Sequence, residues 1–209
     1  NTVFFNGRQW PVTCKQVQFY NGGNAGVQEG QATTTGYMLF KRFNRSISKT
    51  SPGVASQNRP SIIFRLADFY LIYAEVANEV NPSDSRVLTY LNLVRERAGL
   101  PKVEILNPGI VGNKELQRAA IQRERQIELA TEGQRYFDVR RWMIADKDGE
   151  GRQNGYAHGM NVRGTINDTE EFNRVVETEK IVFNRKMYLQ PIPDHEMRKT
   201  QNLVQNPGW

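Results

Sequence analysis

The feature that most constrains the fold is a run of helically spaced apolar residues between Ile62 and Val80. Apolar side chains recur there every three or four residues, which is the period of an α-helix, so we predict a helix over 62–80. A second apolar stripe lies beside the first and leaves only a narrow polar face. A helix that is apolar on two sides must pack between neighbouring elements. The first stripe consists of Ile62, Leu66, Phe69, Tyr70, Tyr73, Ala77 and Val80, and the second of Ala67, Leu71 and Ala74.

Three further helices are predicted from the same periodicity, over 84–98, 114–131 and 134–145. The helix over 84–98 ends sharply, because Gly99 suits the left-handed position that follows a helix and Pro101 blocks continuation. The first two helices together have about the length of one tetratricopeptide-type repeat. Such repeats need neighbours on both sides, so we expect further helices to precede residue 1 in a longer protein. In the last helix we expect four side chains to be buried: Tyr136, Phe137, Val139 and Trp142.

Glycine-rich and proline-rich segments flank these helices on both sides. Residues 1–60 are typical of irregular loops, and residues 146–168 form a polar, glycine-rich segment that we expect to be a long surface loop. Weak alternation allows short strands over 37–43 and 180–189. We therefore predict a mainly α fold, with tetratricopeptide-like helix pairs, long irregular loops and at most a few short strands.

The chain is basic, with a formal net charge of +6 and an isoelectric point near 9.5. Its arginines are interleaved with glutamates between residues 118 and 135, so the local charge nearly cancels, whereas a phosphate-binding face carries basic residues without acidic neighbours. We therefore expect no nucleic-acid partner. Cys14 is the only cysteine, which excludes an internal disulfide, and we expect it to be a buried thiol.

Three carboxylates lie at four-residue spacing, Glu124, Glu128 and Glu132, and would stack on one helix face. One interpretation is a metal or acid–base site, but such a site in a helical bundle also needs a histidine three residues after a glutamate. Neither His158 nor His195 lies in this helix. We favour ion pairing, because arginine side chains neutralise stacked carboxylates. The candidate partners are Arg125, Arg135, Arg140 and Arg141.

Other motifs for chemistry are missing from the sequence. It has no Gly-x-Ser-x-Gly elbow for a nucleophilic serine, and no glycine-rich loop that ends in Lys-Ser or Lys-Thr for phosphate binding. Its two histidines leave little choice of a general base. We therefore expect no catalytic residues, no metal site and no cofactor.

Aromatic residues in the N-terminal segment suggest a ligand site instead. Trp10 and Tyr20 lie close in sequence to Asn21 and Asn24, among glycines. Flat rings stack on the apolar faces of sugars, while amides form hydrogen bonds with hydroxyl groups, so we predict that these four residues bind ligand. The alternative is that the rings anchor a loop to the core. If they do, the segment 146–168 is the next place to look for the site.

Five stretches of the chain resemble the C-terminal region of the SusD/RagB family of outer-membrane lipoproteins. They are IFRLADFYLIYAE at 63–75, LNLVRERAGL at 91–100, ERQIELATEGQRYFDVRRW at 124–142, YLQPIP at 188–193 and QNPGW at 205–209. Their order and spacing cover residues 36–209, and the stretch at 124–142 is the most specific.

The resemblance implies a SusD-like fold of which residues 1–209 are the C-terminal part. Within it, 1–60 would be a loop-rich ligand-side region, 61–145 the helical scaffold, and 146–209 a long loop and C-terminal tail. The matching motifs imply structural roles in an ion-pair seam, in which Arg65 and Asp68 look like partners. The residues assigned to the seam are Arg65, Asp68, Glu124, Glu128, Glu132, Arg135 and Arg141.

The resemblance also implies a function without catalysis. Family members capture oligo- or polysaccharides at the cell surface and act as a lid on a SusC-like TonB-dependent transporter in the outer membrane. They are lipid-anchored through an N-terminal cysteine that is not present in this chain, and here the missing N-terminal portion of the protein would be a further partner. Two alternatives stay open: a peptide-capturing lipoprotein of the same family, and a helical-repeat adaptor that binds only protein.

Overall fold

The computed structural model of the chain forms two compact units, which we describe separately. The helical unit comprises Pro60–Ile144, and the second unit comprises Asn1–Arg59 together with Ala145–Trp209. The residues that the structure describes are 3–5, 8–10, 35–37, 39, 41, 62–147, 154–162 and 175–209.

The helical unit contains the four predicted helices and one short additional helix. The mainly α fold class is therefore confirmed, with two-stranded antiparallel sheets as the strand content of the described residues. The helices are α1 (Leu66–Val80), α2 (Arg86–Arg97), α3 (Val103–Leu106), α4 (Lys114–Glu128) and α5 (Gln134–Arg141), with a 3₁₀ turn at Pro108–Ile110 between α3 and α4.

The core of the helical unit lies where α1, α2 and α4 pack together. Leu71 and Ala74 of the second apolar stripe are fully buried in it, whereas most of the first stripe faces outward, with Val80 82% exposed. From the first stripe, only Tyr70 and Ala77 pack against the core. The prediction of two covered apolar faces on α1 therefore holds for one face in this chain. The core residues are Leu71, Ala74, Val87, Leu91, Val94 and Ile121.

Three predicted helix boundaries are wrong by three or four residues, each for a local reason. α1 begins at Leu66 instead of 62, because Arg65 is extended (φ −146°, ψ 157°). α4 ends at Glu128 because the chain turns through left-handed backbone at Thr131 (φ 66°) and Gly133 (φ 81°). α5 ends at Arg141, and Met143 has positive φ (53°) in the turn that follows.

The predicted burial of α5 is correct for Val139 and wrong for its two adjacent rings. Tyr136 is 44% exposed and Phe137 is 64% exposed. The two rings contact each other edge to face, with centroids 5.2 Å apart, and the Arg140 guanidinium lies 3.4 Å from the centroid of Tyr136. These local contacts cover part of each ring at the surface. Trp142 is half-buried.

The described residues of the second unit include four strands in two antiparallel pairs. β1 (Val3–Phe5) pairs with β2 (Arg8–Trp10), and β3 (Gly155–Met160) pairs with β4 (Val175–Ile181). A 3₁₀ turn at Arg185–Tyr188 and a short helix α6 (Asp194–Met197) follow.

These strands correct three loop and strand predictions. Residues 3–5 and 8–10 form strands and are not irregular, residues 155–160 are not loop, and the strand predicted over 180–189 ends at Ile181. The strand β3 was missed because its glycines weaken the sequence pattern of a strand. Its partner β4 also begins more than ten residues further along the chain.

The C-terminal tail is anchored to the segment around the second 3₁₀ turn. The Trp209 indole N–H lies 3.0 Å from the carbonyl oxygens of both Lys186 and Leu189, and the Lys186 ammonium lies 4.2 Å from the ring centroid. The Gln205 amide exchanges two hydrogen bonds with the backbone of Ile192. The QNPGW ending is therefore a structural anchor of the second unit.

Candidate functional site

The ion-pair seam of the helical unit is organised around a buried arginine. Arg125 of α4 is 3% exposed and donates hydrogen bonds to Asp68 of α1 (2.8 Å) and to Asp138 of α5 (3.0 Å). Asp68 therefore pairs with Arg125, and the predicted partnership of Arg65 with Asp68 is wrong. The seam joins three helices through one guanidinium, which is a structural role.

The three stacked glutamates are all paired with arginines. Glu124 binds Arg95 of α2 (2.9 Å), and Glu132 binds Arg65 (2.7 Å). Glu128 binds both Arg65 and Arg97. These three arginines come from α2 and from the residue before α1, whereas the candidates named from the sequence are near neighbours along the chain. Across the described residues, no group of three metal-ligating side chains is placed to hold an ion.

The remaining seam residues tie α5 to α1. Arg141 binds Asp138 and both carboxylate oxygens of Glu75, and the Trp142 indole N–H donates to Glu75 (2.7 Å). The guanidinium groups of Arg135 and Arg141 lie 5.8 Å and 4.6 Å from the Trp142 ring centroid. These charged side chains form ion pairs with one another and hold the helices together. They therefore leave no ligand-facing acid–base pair among them.

The predicted ligand residues are only partly placed by the structure. Trp10 lies in β2, opposite Val3 in the strand register, and so is not in a loop. Tyr20, Asn21 and Asn24 lie outside the described residues, as does Cys14. Their assignment to a ligand site therefore stays a prediction.

A surface depression along the β3–β4 hairpin is the best candidate for a ligand site in the described part of the second unit. Its volume is about 500 Å³, and it is open to solvent. The Tyr156 ring is 46% exposed, and the Lys180 ammonium lies 5.8 Å from its centroid. The lining residues are Asn154, Gly155, Tyr156, His158, Glu177, Lys180 and Val182.

The side chains in this depression come in two cross-strand pairs. Tyr156 lies opposite Lys180, and His158 lies opposite Glu177. Together they provide a flat ring for stacking, an ammonium donor, a carboxylate acceptor and an imidazole that can donate or accept. This set can hold a molecule that has both an apolar face and several hydroxyl groups.

Asn154 connects the depression to the body of the second unit. Its side-chain oxygen accepts a hydrogen bond from the Phe183 N–H (3.2 Å), and its amide donates to the Asp146 carbonyl (3.4 Å). Phe183 is buried and packs edge to face on Tyr188, with centroids 5.0 Å apart. These contacts hold the end of the hairpin that bears the depression.

A tyrosine–aspartate hydrogen bond supports the same anchor. The Tyr188 hydroxyl donates to the Asp146 carboxylate over 2.6 Å, and this bond lowers the pKa of Asp146. Burial raises the pKa of Tyr188, and the hydrogen bond to Asp146 raises it further. The aspartate is therefore held ionised and the tyrosine protonated across the neutral range.

The sequence pointed to this region only through the length and glycine content of 146–168. Tyr156 and His158 could not be selected from it, because their partners Glu177 and Lys180 lie about twenty residues further along the chain. A pattern of β-branched residues at 175–181 was the available signal for the second strand.

Comparisons with known proteins agree on one family. The family model described as the SusD family matches residues 1–209. SusD-like protein P25 of Formosa agariphila is 44% identical over 51% of this chain, and SusD-like protein P2 of the same organism is 31% identical over 71% of it. The solved structure of selenomethionine BT4246 matches 91% of the chain with a TM-score of 0.70 and 29% sequence identity.

The chain spans a minor part of each of these relatives. It covers 19% of P25, 26% of P2 and 31% of the BT4246 chain. Among the helices of the described residues, none combines the length and the apolar character needed to cross a bilayer.

Proposed function

This chain belongs to the SusD family, and on that premise we propose that it takes part in capturing glycans at the cell surface without acting on them chemically. The captured glycan passes to a SusC-like TonB-dependent transporter in the outer membrane. The protein is held there by a lipid on an N-terminal cysteine that is not present in this chain. Family membership supports these assignments, and the hairpin depression supports the binding role.

The observation that carries the proposal is the exposed ring of Tyr156 among polar side chains. A half-exposed tyrosine in an open depression offers a stacking surface for a sugar ring, and the adjacent Lys180 and Glu177 offer a donor and an acceptor for hydroxyl groups. An open site also suits a protein that must release its cargo, for which a Kd of roughly micromolar to millimolar is appropriate.

A role without catalysis is supported by the pairing of the carboxylates in the helical unit. Glu124, Glu128 and Glu132 are each bound to arginine. A glycosidase needs two carboxyl groups that face the scissile bond, one of them able to protonate the leaving group. Prolonged incubation with a bound glycan should therefore yield no shorter product by chromatography.

The test of glycan capture is isothermal titration calorimetry with a set of soluble polysaccharides. Tyr156→Ala should weaken binding by about 5- to 30-fold, corresponding to the loss of one stacking ring worth ~1–2 kcal/mol. Tyr136→Ala is the matched control, because that ring is equally exposed but lies on α5. Trp10→Ala and Tyr20→Ala test the N-terminal residues in the same assay. Equal effects of Tyr156→Ala and Tyr136→Ala would contradict the assignment of the depression.

Two other functions can be separated from this one. Peptide capture would appear in the same calorimetry as binding of oligopeptides with no binding of polysaccharides. A protein-binding adaptor is favoured by one observation, the apolar side chains exposed on α1. In that case Phe69→Ser would abolish the interaction of the protein with its partner, and Tyr156→Ala would leave it unchanged.

A further inference from the structure

We propose that a shift in the register of the β3–β4 hairpin builds the depression and selects uncharged sugar rings as its ligands. This inference rests on the proposed function, because it specifies the class of glycan that the same site binds. Ala157 lies opposite Glu179, but the next residue, His158, lies opposite Glu177. One step on β3 therefore corresponds to two steps on β4, and Thr178 is the additional residue, as in a β-bulge.

The additional residue brings two charged side chains to the same face of the hairpin. Glu177 and Lys180 are three residues apart, so in a regular strand they would lie on opposite faces. The register shift reverses, once between them, the alternation of side chains between the two faces of the strand. Glu177 consequently lies opposite His158, and Lys180 opposite Tyr156, on the face that lines the depression. Glu179 pairs with Ala157 and is not part of the lining.

The resulting lining is balanced in charge. It contains one ammonium group, from Lys180, and one carboxylate, from Glu177, while the other polar groups are an amide, a phenol and an imidazole. A neutral sugar finds a stacking ring, a donor and an acceptor in it. An anionic sugar, such as a uronic acid or a sulfated residue, is attracted by Lys180 and repelled by Glu177, so the cost of removing water from its charge is not compensated. A cationic amino sugar is likewise attracted by Glu177 and repelled by Lys180.

The experiment compares glycans that share a backbone and differ in charge. The probes are methyl-esterified and de-esterified galacturonan, and chemically desulfated and native carrageenan, measured by affinity electrophoresis and calorimetry. We expect the chain to bind the neutral member of a pair about 5- to 10-fold more tightly, because the anionic member loses water from its charge while attraction by Lys180 and repulsion by Glu177 offset each other.

Two variants of one strand locate the effect. Glu177→Gln keeps an acceptor and removes the charge, so it should bring the affinity for the anionic member to within about twofold of the neutral one, because the remaining charge in the lining is Lys180. Glu179→Gln is the matched control: it is an exposed carboxylate two residues away, outside the lining, and should leave the ratio unchanged. Deletion of Thr178 should restore regular alternation and weaken all binding, with thermal unfolding measured to confirm that the protein folds.

The outcomes separate the two proposals. Equal or tighter binding of the anionic members, or identical ratios for Glu177→Gln and Glu179→Gln, would overturn the charge-balance inference and leave glycan capture standing. Failure to bind any glycan, neutral or charged, would instead overturn the proposed function on which the inference rests.

Discussion

Arg125 is the residue at which the charges of three helices converge. It is almost fully buried, and its guanidinium is shared between Asp68 and Asp138. Removing one member of a buried ionic cluster leaves the others without compensation, and the cost is about 3–5 kcal/mol. The sequence showed Arg125 as one of many arginines interleaved with glutamates, and only the fold distinguishes it from the exposed Arg123 two residues before it.

Replacement of Arg125 should therefore be among the most destabilising changes in the helical unit. We expect Arg125→Met to lower the free energy of unfolding by about 3–5 kcal/mol, because Asp68 becomes buried without a counter-charge and Asp138 keeps only the more exposed Arg141. Arg123→Met, on the same helix but exposed, should change it by less than about 0.5 kcal/mol. Urea unfolding followed by circular dichroism measures both. Adding Asp68→Asn and Asp138→Asn to Arg125→Met should recover part of the lost free energy of unfolding. If the triple variant is no more stable than Arg125→Met alone, the charge-burial explanation is contradicted.

Glu79 makes the stability of the helical unit depend on pH. The hydrogen bond from Arg118, with a further one from Lys114, lowers its pKa from 4.5 to about 2. Because the folded-state pKa is below the unfolded one, the carboxylate stabilises the fold above pH 4.5, and this contribution is lost as the pH falls towards 2. The side chain is 41% exposed, so screening limits the contribution to less than ~1 kcal/mol.

The measurement is the difference in unfolding free energy between the parent and Glu79→Gln at several pH values. The difference should be constant between pH 5 and 7 to within about 0.3 kcal/mol and should shrink below pH 4.5. High salt should reduce it at every pH. A difference that grows as the pH falls would have the wrong sign for a carboxylate with a lowered pKa.

The elements show which parts of the fold can be predicted from sequence. The end of α2 was predictable because its signals are local: Gly99 has φ 78°, its N–H bonds to the Glu96 carbonyl, and the Leu100 N–H bonds to the Arg95 carbonyl, which is the Schellman arrangement. The β3–β4 hairpin was not predictable, because its pairing is non-local and a register shift leaves no mark in the sequence of either strand. The candidate site depends on that shift.

The helix stop at Gly99 can be tested by itself. A β-carbon added there would meet no atom within 4 Å, so the cost of Gly99→Ala is the cost of left-handed backbone alone, about 1 kcal/mol. Gly99→Asn should cost less, since asparagine tolerates this conformation better. Gly109→Ala is the control, because that glycine does not have positive φ and a methyl group there would make an ordinary contact. A loss for Gly109→Ala as large as that for Gly99→Ala would contradict the conformational explanation.

At the scale of the whole molecule, the outward stripe of α1 is the feature that the fold of this chain leaves unexplained. Its apolar side chains form an exposed surface on the helical unit, including the adjacent rings of Phe64 and Phe69, with centroids 6.2 Å apart. The sequence predicted that both stripes of this helix would be covered, as stacked helical repeats require. The relatives that the chain matches are nearly three times as long as this chain, so they contain further residues that could cover this face. The exposed residues of α1 and the segment before it are Ile62, Ile63, Phe64, Leu66, Phe69, Ile72, Tyr73, Val76 and Val80.

A contiguous apolar face of this kind promotes association in water. We expect the 209-residue chain to self-associate at concentrations of tens of micromolar, as burying several such side chains at ~25 cal/mol per Å² is sufficient for weak pairing. The double substitution Phe69→Ser and Val76→Ser should shift the association equilibrium towards monomer in sedimentation velocity experiments. Because both side chains are exposed, the melting temperature should hardly change. Glu96→Ser with Lys102→Ser, an exposed ion pair that does not involve α1, is the control pair. A chain that is monomeric at these concentrations, or that associates equally well with serine at 69 and 76, would show that α1 is not an interaction face and would remove the observation that favours a protein-binding role.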